Sequence, residues 1–193
     1  RGRVGSEMCI RDSMEDAHLY LQDFNNVPGQ GYFAIFDGHA GKFAAEWCRD
    51  NMNRILSEEL NVCSHMDVRE VMRNAFLKAD EQLEAESRSA GVRSGCTAVT
   101  SLIRLESDDS DQNKSRRRVL YTANVGDARS VLWYVDTSVC RLQLLTMNAS
   151  RGGKAIRLTY DHKGSDEFES KRITEKGGFL LNNRVNGACN LCV

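Results

Sequence analysis

Acidic residues stand at three places along the chain, the first ahead of an apolar run and the other two where such runs end. Glu15-Asp16 follow Met14 and precede an apolar run, Asp37 opens Asp37-Gly38-His39 at the close of that run, and Asp127 ends Ala123-Asn124-Val125-Gly126-Asp127. Carboxylates carried at strand ends can meet at one rim of a sheet. Crowding them there is costly, because two carboxylates about 4 Å apart repel by roughly 4 kcal/mol at an effective dielectric of about 20. Either the groups do not converge, or a divalent cation neutralises them. Oxygen-only donors suit Mg²⁺ or Mn²⁺ rather than zinc. Gly38 would let the backbone approach an ion closely, so its carbonyl could also serve as a ligand. Taken singly, each acid is more often a turn or helix cap than a ligand, and His39 more often a structural histidine; their order and spacing together carry the chemical reading.

The elements that must position these groups follow from periodicity. Gly31–Phe36 is a short apolar and aromatic run, a buried-strand pattern that stops at the polar and flexible Asp37-Gly38-His39-Ala40-Gly41. A helix fits from about Lys42 to Leu60, with Ala44, Trp47, Cys48, Ile55 and Leu56 on one face. Asp67 and Glu70 form a capping-box pattern before a second helix, whose apolar positions run Val68, Val71, Met72, Ala75, Phe76, Ala79 and Leu83. The period then changes to strands at Gly95–Leu105, Val119–Val125, Arg129–Val135, Cys140–Leu145 and Ala155–Leu158. The run Glu106–Arg118 is acidic and then basic and predicts a mobile solvated loop, with a partner-docking or phosphorylation site as the functional alternative. Asn148–Gly153 reads as a polar turn, and Asp166–Lys176 as a charged surface helix stopped by Gly177-Gly178. Strands combined with two consecutive long helices predict an α+β layered domain rather than alternating βαβ units.

Composition narrows the partners. The 193 residues carry 26 basic and 27 acidic side chains, a net charge of −1, so no global field draws nucleic acid or an anionic membrane. No apolar stretch is long enough to span a bilayer, and the N-terminus has no apolar h-region of a signal peptide. Seven scattered cysteines suit reduced thiols in a cytoplasmic or nuclear protein. Cys189 and Cys192 form a lone CxxC without a second pair for zinc and read as incidental.

The motifs resemble those of the type 2C, metal-dependent protein serine/threonine phosphatases, and especially small fungal members that act on stress-signalling kinases. The carrying residues are Met14-Glu15-Asp16-Ala17-His18, Tyr32–Gly41, Ser94-Gly95-Cys96-Thr97-Ala98, Tyr121–Arg129, Leu158–Lys163, Gly177-Gly178 and Arg184-Val185-Asn186-Gly187. The resemblance implies a central antiparallel β-sandwich flanked by helices, with two Mg²⁺ or Mn²⁺ ions at one end. It implies that Asp37 bridges both ions and Gly38 offers its carbonyl to one. Glu15 belongs to the second ion's shell with Asp16 in support, and Asp127 serves an additional, looser ion. His39 matches the general acid, and Arg11 stands where the family's phosphate-gripping arginine stands. The implied reaction is hydrolysis of phosphoserine or phosphothreonine by a metal-activated water. No covalent phospho-enzyme is required, so Cys96, where the family usually has serine, reads as core packing. Asp161-His162 reads as structural. Implied partners are phosphorylated proteins, stress-signalling kinases among them, met by a monomer.

The pattern departs from the family at both ends. Residues 1–10 (RGRVGSEMCI) do not resemble the family's opening strand and read like a foreign junction; if that junction runs to Ser13, Arg11 matches only by accident. Residues 14–187 form the partial phosphatase domain, and 188–193 a divergent tail. The family's later Asp-Gly and Asp-Asn motifs, which supply further metal-holding aspartates, are missing. The expectation is therefore a phosphatase parent, with little or no activity in the chain as it stands. The alternatives are a non-catalytic pseudo-phosphatase that binds phosphoproteins or kinases, and a metal-dependent hydrolase of small phosphate esters.

Overall fold

In a computed structural model of the chain, residues 14–107, 116–134, 153–181 and 184–185 are described. The expectations for residues 1–13 (Arg11 included), the loop centre 108–115, the strand 140–145, the turn residues 148–152 and the tail 188–193 lie outside them.

Strand β1 (Ala17–Gln22) opens the domain and pairs antiparallel with β2 (Gly31–Phe36). The sequence reading overlooked β1, although Ala17, Leu19 and Leu21 alternate with His18, Tyr20 and Gln22 at a strand's period of two. Left-handed Asp23, Asn25 and Asn26 turn the chain between the strands, residue types that tolerate positive φ. β3 (Gly38–His39) follows at once, and then the helices α1 (Phe43–Val62) and α2 (Val68–Ala90). Asp67 caps α2 by accepting from the Arg69 backbone N–H at 2.9 Å, while Glu70 lies 4.0 Å from Arg73 instead of closing a capping box. Gly91, at φ 66, ends the helix in the left-handed conformation that a residue without Cβ adopts at least cost.

The strand expected over Gly95–Leu105 is two strands. β4 (Gly95–Cys96) pairs with β3, and β5 (Ala98–Ser107) pairs with β2. Thr97 marks the change of partner, its N–H donating to the Asp37 carbonyl at 2.9 Å. β6 (Arg116–Val125) begins earlier than periodicity suggested and pairs with β5 over its whole length, closing the sheet order β1-β2-β5-β6. The ends of the run expected to be a mobile loop thus belong to a hairpin: Glu106 stands opposite Arg117 in its ladder. Opposite charges facing across strands support pairing where apolar burial cannot. β7 (Val131–Tyr134) pairs with β8 (Lys154–Arg157), and α3 (Glu167–Glu175) is capped by Asp166 and stopped at Gly177. A short pair, β9 (Leu180–Leu181) with β10 (Arg184–Val185), completes the described chain.

Helices and antiparallel sheet make an α+β domain. The core lies between α1 and α2 and one face of the four-stranded sheet. Sheet positions Tyr32, Ala34, Phe36, Ala98 and Leu102 pack there against Ile55, Leu56, Val71, Met72 and Ala75 of the helices. Each fully buried aliphatic side chain among them contributes about 1.5–3 kcal/mol. The opposite sheet face carries exposed Tyr20, Phe33 and Ile35. Among the described residues no helix is long and apolar enough to cross a membrane.

Candidate metal centre

The register of β1 on β2 sets Ala17 opposite Phe36. The same antiparallel step, continued past the ladder, brings Asp16 beside Asp37 and Glu15 beside Gly38. The backbone contacts agree: a Cβ at Gly38 would lie 2.2 Å from the Glu15 carbonyl oxygen and 3.2 Å from the Ala45 Cβ. Two acids that are some twenty residues from Asp37 in sequence therefore share its rim. Asp16 and Asp37 are exposed there, Glu15 is half-buried and Gly38 is buried. Space favours glycine at position 38, since an added Cβ would press on the Glu15 carbonyl ahead of β1 and on Ala45 of α1.

His39 is held by the β3–β4 pairing, directly across from Gly95. A Cβ on Gly95 would stand 2.6 Å from His39 Nε2, so the imidazole rests on the bare Gly95 backbone. This makes Gly95 part of the site's geometry, a role that spacing alone does not reveal.

Asp127 sits on the turn that ends β6, at the same end of the sheet. β5 intervenes between β2 and β6, so at the usual strand spacing Asp127 lies roughly 10 Å along the rim from Asp37. Its carboxylate is 3.7 Å from Lys163 Nζ. Gly126, at φ 82, packs on Thr97, and its carbonyl accepts from the His162 N–H at 2.9 Å. That bond ties the Asp161-His162 loop to the rim.

Asp161 is the anchor of this second cluster. Buried itself, it accepts both Nε and Nη2 of Arg129, is paired with Arg157, and lies 3.5 Å from Lys163. Hydrogen bonds from Arg129 first, and then from Arg157, hold its carboxyl well below the ordinary value of 3.8. Asp161 works structurally, joining the segment that leads into β7, strand β8 and the loop after β8. Lys163 bridges the two acids, Asp127 and Asp161. The sequence reading placed it in a family motif but gave it no role, because its partner Asp127 is 36 residues away.

The donor set at the rim is all oxygen: the carboxylates of Glu15, Asp16 and Asp37 and the carbonyl of Gly38. That chemistry fits a hard divalent cation, and the space a Cβ at Gly38 would fill is already taken by the Glu15 carbonyl and the Ala45 methyl. Among the described residues, however, no three His, Cys, Asp or Glu side chains stand close enough to hold an ion by themselves. Arg11 lies outside the described residues.

Comparison with known proteins supplies the context. The sequence pattern of the family described as Protein phosphatase 2C matches residues 2–192. Protein phosphatase 2C homolog 1 of Saccharomyces cerevisiae is 40% identical over 183 residues, covering 92% of this chain and 58% of that protein. The Schizosaccharomyces pombe protein of the same name is 39% identical, over 92% of this chain and 44% of its own length. The chain thus spans about half the length of the curated relatives it matches. Among solved structures, a Caenorhabditis elegans sex determining protein superposes with TM-score 0.66 at 23% identity, over 94% of this chain and 40% of that one. Serine-threonine phosphatase 2C from Toxoplasma gondii gives 0.63 at 20% identity, over 91% and 55%. At those identities the structural likeness speaks for the fold.

Proposed function

This chain belongs to the protein phosphatase 2C family, and on that premise we propose that the protein hydrolyses phosphoserine and phosphothreonine in protein substrates with Mg²⁺ or Mn²⁺. The observation that carries the proposal is the contact of Gly38 with the Glu15 carbonyl, which sets Glu15, Asp16 and Asp37 on one rim. Shared placement at one rim puts these oxygen donors within reach of a common divalent cation, whose charge would offset their mutual repulsion.

In this reading Asp37, the Gly38 carbonyl and Glu15 would hold two ions, Asp16 would support Glu15, and Asp127 would serve a further one. When bound, Mg²⁺ or Mn²⁺ supplies water activation and charge neutralisation. His39, steadied on Gly95, gives a proton to the departing serine or threonine oxygen, a general-acid contribution of typically about 10²–10⁴-fold. Arg11 binds the phosphoryl oxygens and fixes the orientation of the ester. Lys163 keeps Asp127 from drifting along the rim. Phosphorylated proteins are the substrates in this reading, stress-signalling kinases among them.

The test is Mn²⁺-dependent turnover of a phosphothreonine peptide by the full-length protein, with and without chelator, beside the Asp37→Asn variant. Turnover should vanish with chelator and in the variant, while the variant's thermal unfolding stays cooperative. Turnover that survives chelation would reject the proposal. A second reading, a phosphoprotein-binding module without catalysis, draws on the lack of a self-sufficient metal cluster among the described residues. Tight binding of the same peptide with no Mn²⁺ uptake in calorimetry would select it.

A further inference from the structure

Beneath the rim, two thiols with no part in the proposed hydrolysis meet. Cys48 of α1 is buried, Cys96 lies on β4, and their sulfurs are 3.7 Å apart with neither in a disulfide. Packing alone does not call for this arrangement, because a thiol is a weak donor and a weak acceptor and gains little from a second thiol. Both sulfurs line a cavity of ≈ 480 Å³ between α2 and the sheet. Exposed Glu84 and Arg93 form part of its wall, so small solutes reach it from the surface. Cys96 is also coupled to the rim, since it faces Gly38 in the β3–β4 ladder and follows Gly95, on which His39 rests.

We propose that Cys48 and Cys96 are a redox pair, which a peroxide closes into a reversible disulfide that shifts β4 and with it the Gly38–His39 segment. The chemistry balances. One thiolate attacks the peroxide, the O–O bond breaks, and one oxygen leaves as water (or alcohol) while the sulfur keeps the other as a sulfenic acid. The second sulfur then attacks the first, the S–O bond breaks, and water leaves. The two sulfurs lose two electrons in all, and those electrons reduce the peroxide. To form the bond the sulfurs must close from 3.7 Å to about 2.05 Å, so α1 or β4 must move or a side chain must rotate. The shorter of the two elements, β4, is tied by its pairing to β3 and yields more readily than a 20-residue helix.

The experiment treats the full-length protein with hydrogen peroxide, digests it without reduction and maps linked peptides by mass spectrometry, with dithiothreitol reversal. A Cys48–Cys96 cross-link should accumulate and disappear on reduction, and it should be missing from both Cys48→Ala and Cys96→Ser. Two variants guard against one failing to fold. Amide exchange at Gly38 and His39 should change on oxidation of the wild type and stay constant in the variants. Recovery of Cys48 and Cys96 as free thiols or as over-oxidised acids under these conditions would overturn the proposal, as would unchanged exchange in the cross-linked protein. These readouts do not involve hydrolysis, so they stand or fall separately from the phosphatase reading.

Discussion

Replacing Gly38 by alanine places a methyl carbon 2.2 Å from the Glu15 carbonyl oxygen and 3.0 Å from its carbonyl carbon. Gly38 is not among the positive-φ glycines, so the substitution introduces no dihedral strain and the effect is one of space. Retreat towards α1 is blocked by the Ala45 Cβ at 3.2 Å. Relief must therefore come from the Glu15 peptide, which has to move out by at least 0.8 Å to restore a 3.0 Å approach. That peptide precedes β1, so the fold can absorb the shift at an overpacking cost of about 1–3 kcal/mol. A domain of this size loses roughly 2–4 °C in Tm for each kcal/mol. The site is far less tolerant, because a misplacement of about 1 Å costs on the order of 10²-fold in rate. The assay pairs thermal unfolding with Mn²⁺-dependent hydrolysis of a phosphothreonine peptide, measured well below the unfolding range. The expected result is a folded, mildly destabilised protein whose turnover falls about a hundredfold. Turnover unchanged from wild type, with Tm also unchanged, would refute the claim that this contact sets the position of Glu15.

Gly95→Ala should push His39 aside, because the new Cβ would lie 2.6 Å from Nε2; peptide turnover should fall while Mn²⁺ uptake in calorimetry holds. Asp161→Asn leaves Arg129, Arg157 and Lys163 without their shared carboxylate and should destabilise by about 1–3 kcal/mol in chemical denaturation, the half-exposed cations keeping the loss below that of a fully buried pair. The pH dependence has a definite sign: Asp161 is held below 3.8 in the folded state, so its contribution is complete above that value and lost as pH falls through the native pKa. The stability gap between wild type and Asp161→Asn should thus be constant near neutrality and narrow below about pH 4. Tyr32→Phe should leave stability unchanged or raise it by up to about 1 kcal/mol, since among the described residues the fully buried Tyr32 hydroxyl has no hydrogen-bond partner.

Much of the fold was legible where one period runs long enough. Val68, Val71, Met72, Ala75 and Ala79 repeat at helical spacing and are all buried on α2, and the α1 face of Ala44, Trp47, Cys48, Ile55 and Leu56 is buried likewise. Short elements fared worse. β1 is six residues long, and an alternation that brief is weak evidence for a strand until the pairing with β2 supports it. The break at Thr97 was invisible for a related reason, since every residue from Gly95 to Ser101 suits a strand and only the switch from β3 to β2 as partner divides them. Residue by residue the charged run at Glu106–Arg118 suggests solvation, whereas its arms pair along the β5–β6 ladder, where Glu106 faces Arg117.

The available chemistry is written in the residue types: Glu15, Asp16, Asp37 and Asp127 offer only oxygen donors, and their motifs occur in an order that marks one family. How those donors are distributed depends on the folded sheet. Antiparallel register brings Glu15 and Asp16 to Asp37, while an intervening strand holds Asp127 apart beside Lys163. Residue type is local information, but the distance between two carboxylates depends on strand order and register, and these are settled by burying the apolar faces of distant segments together.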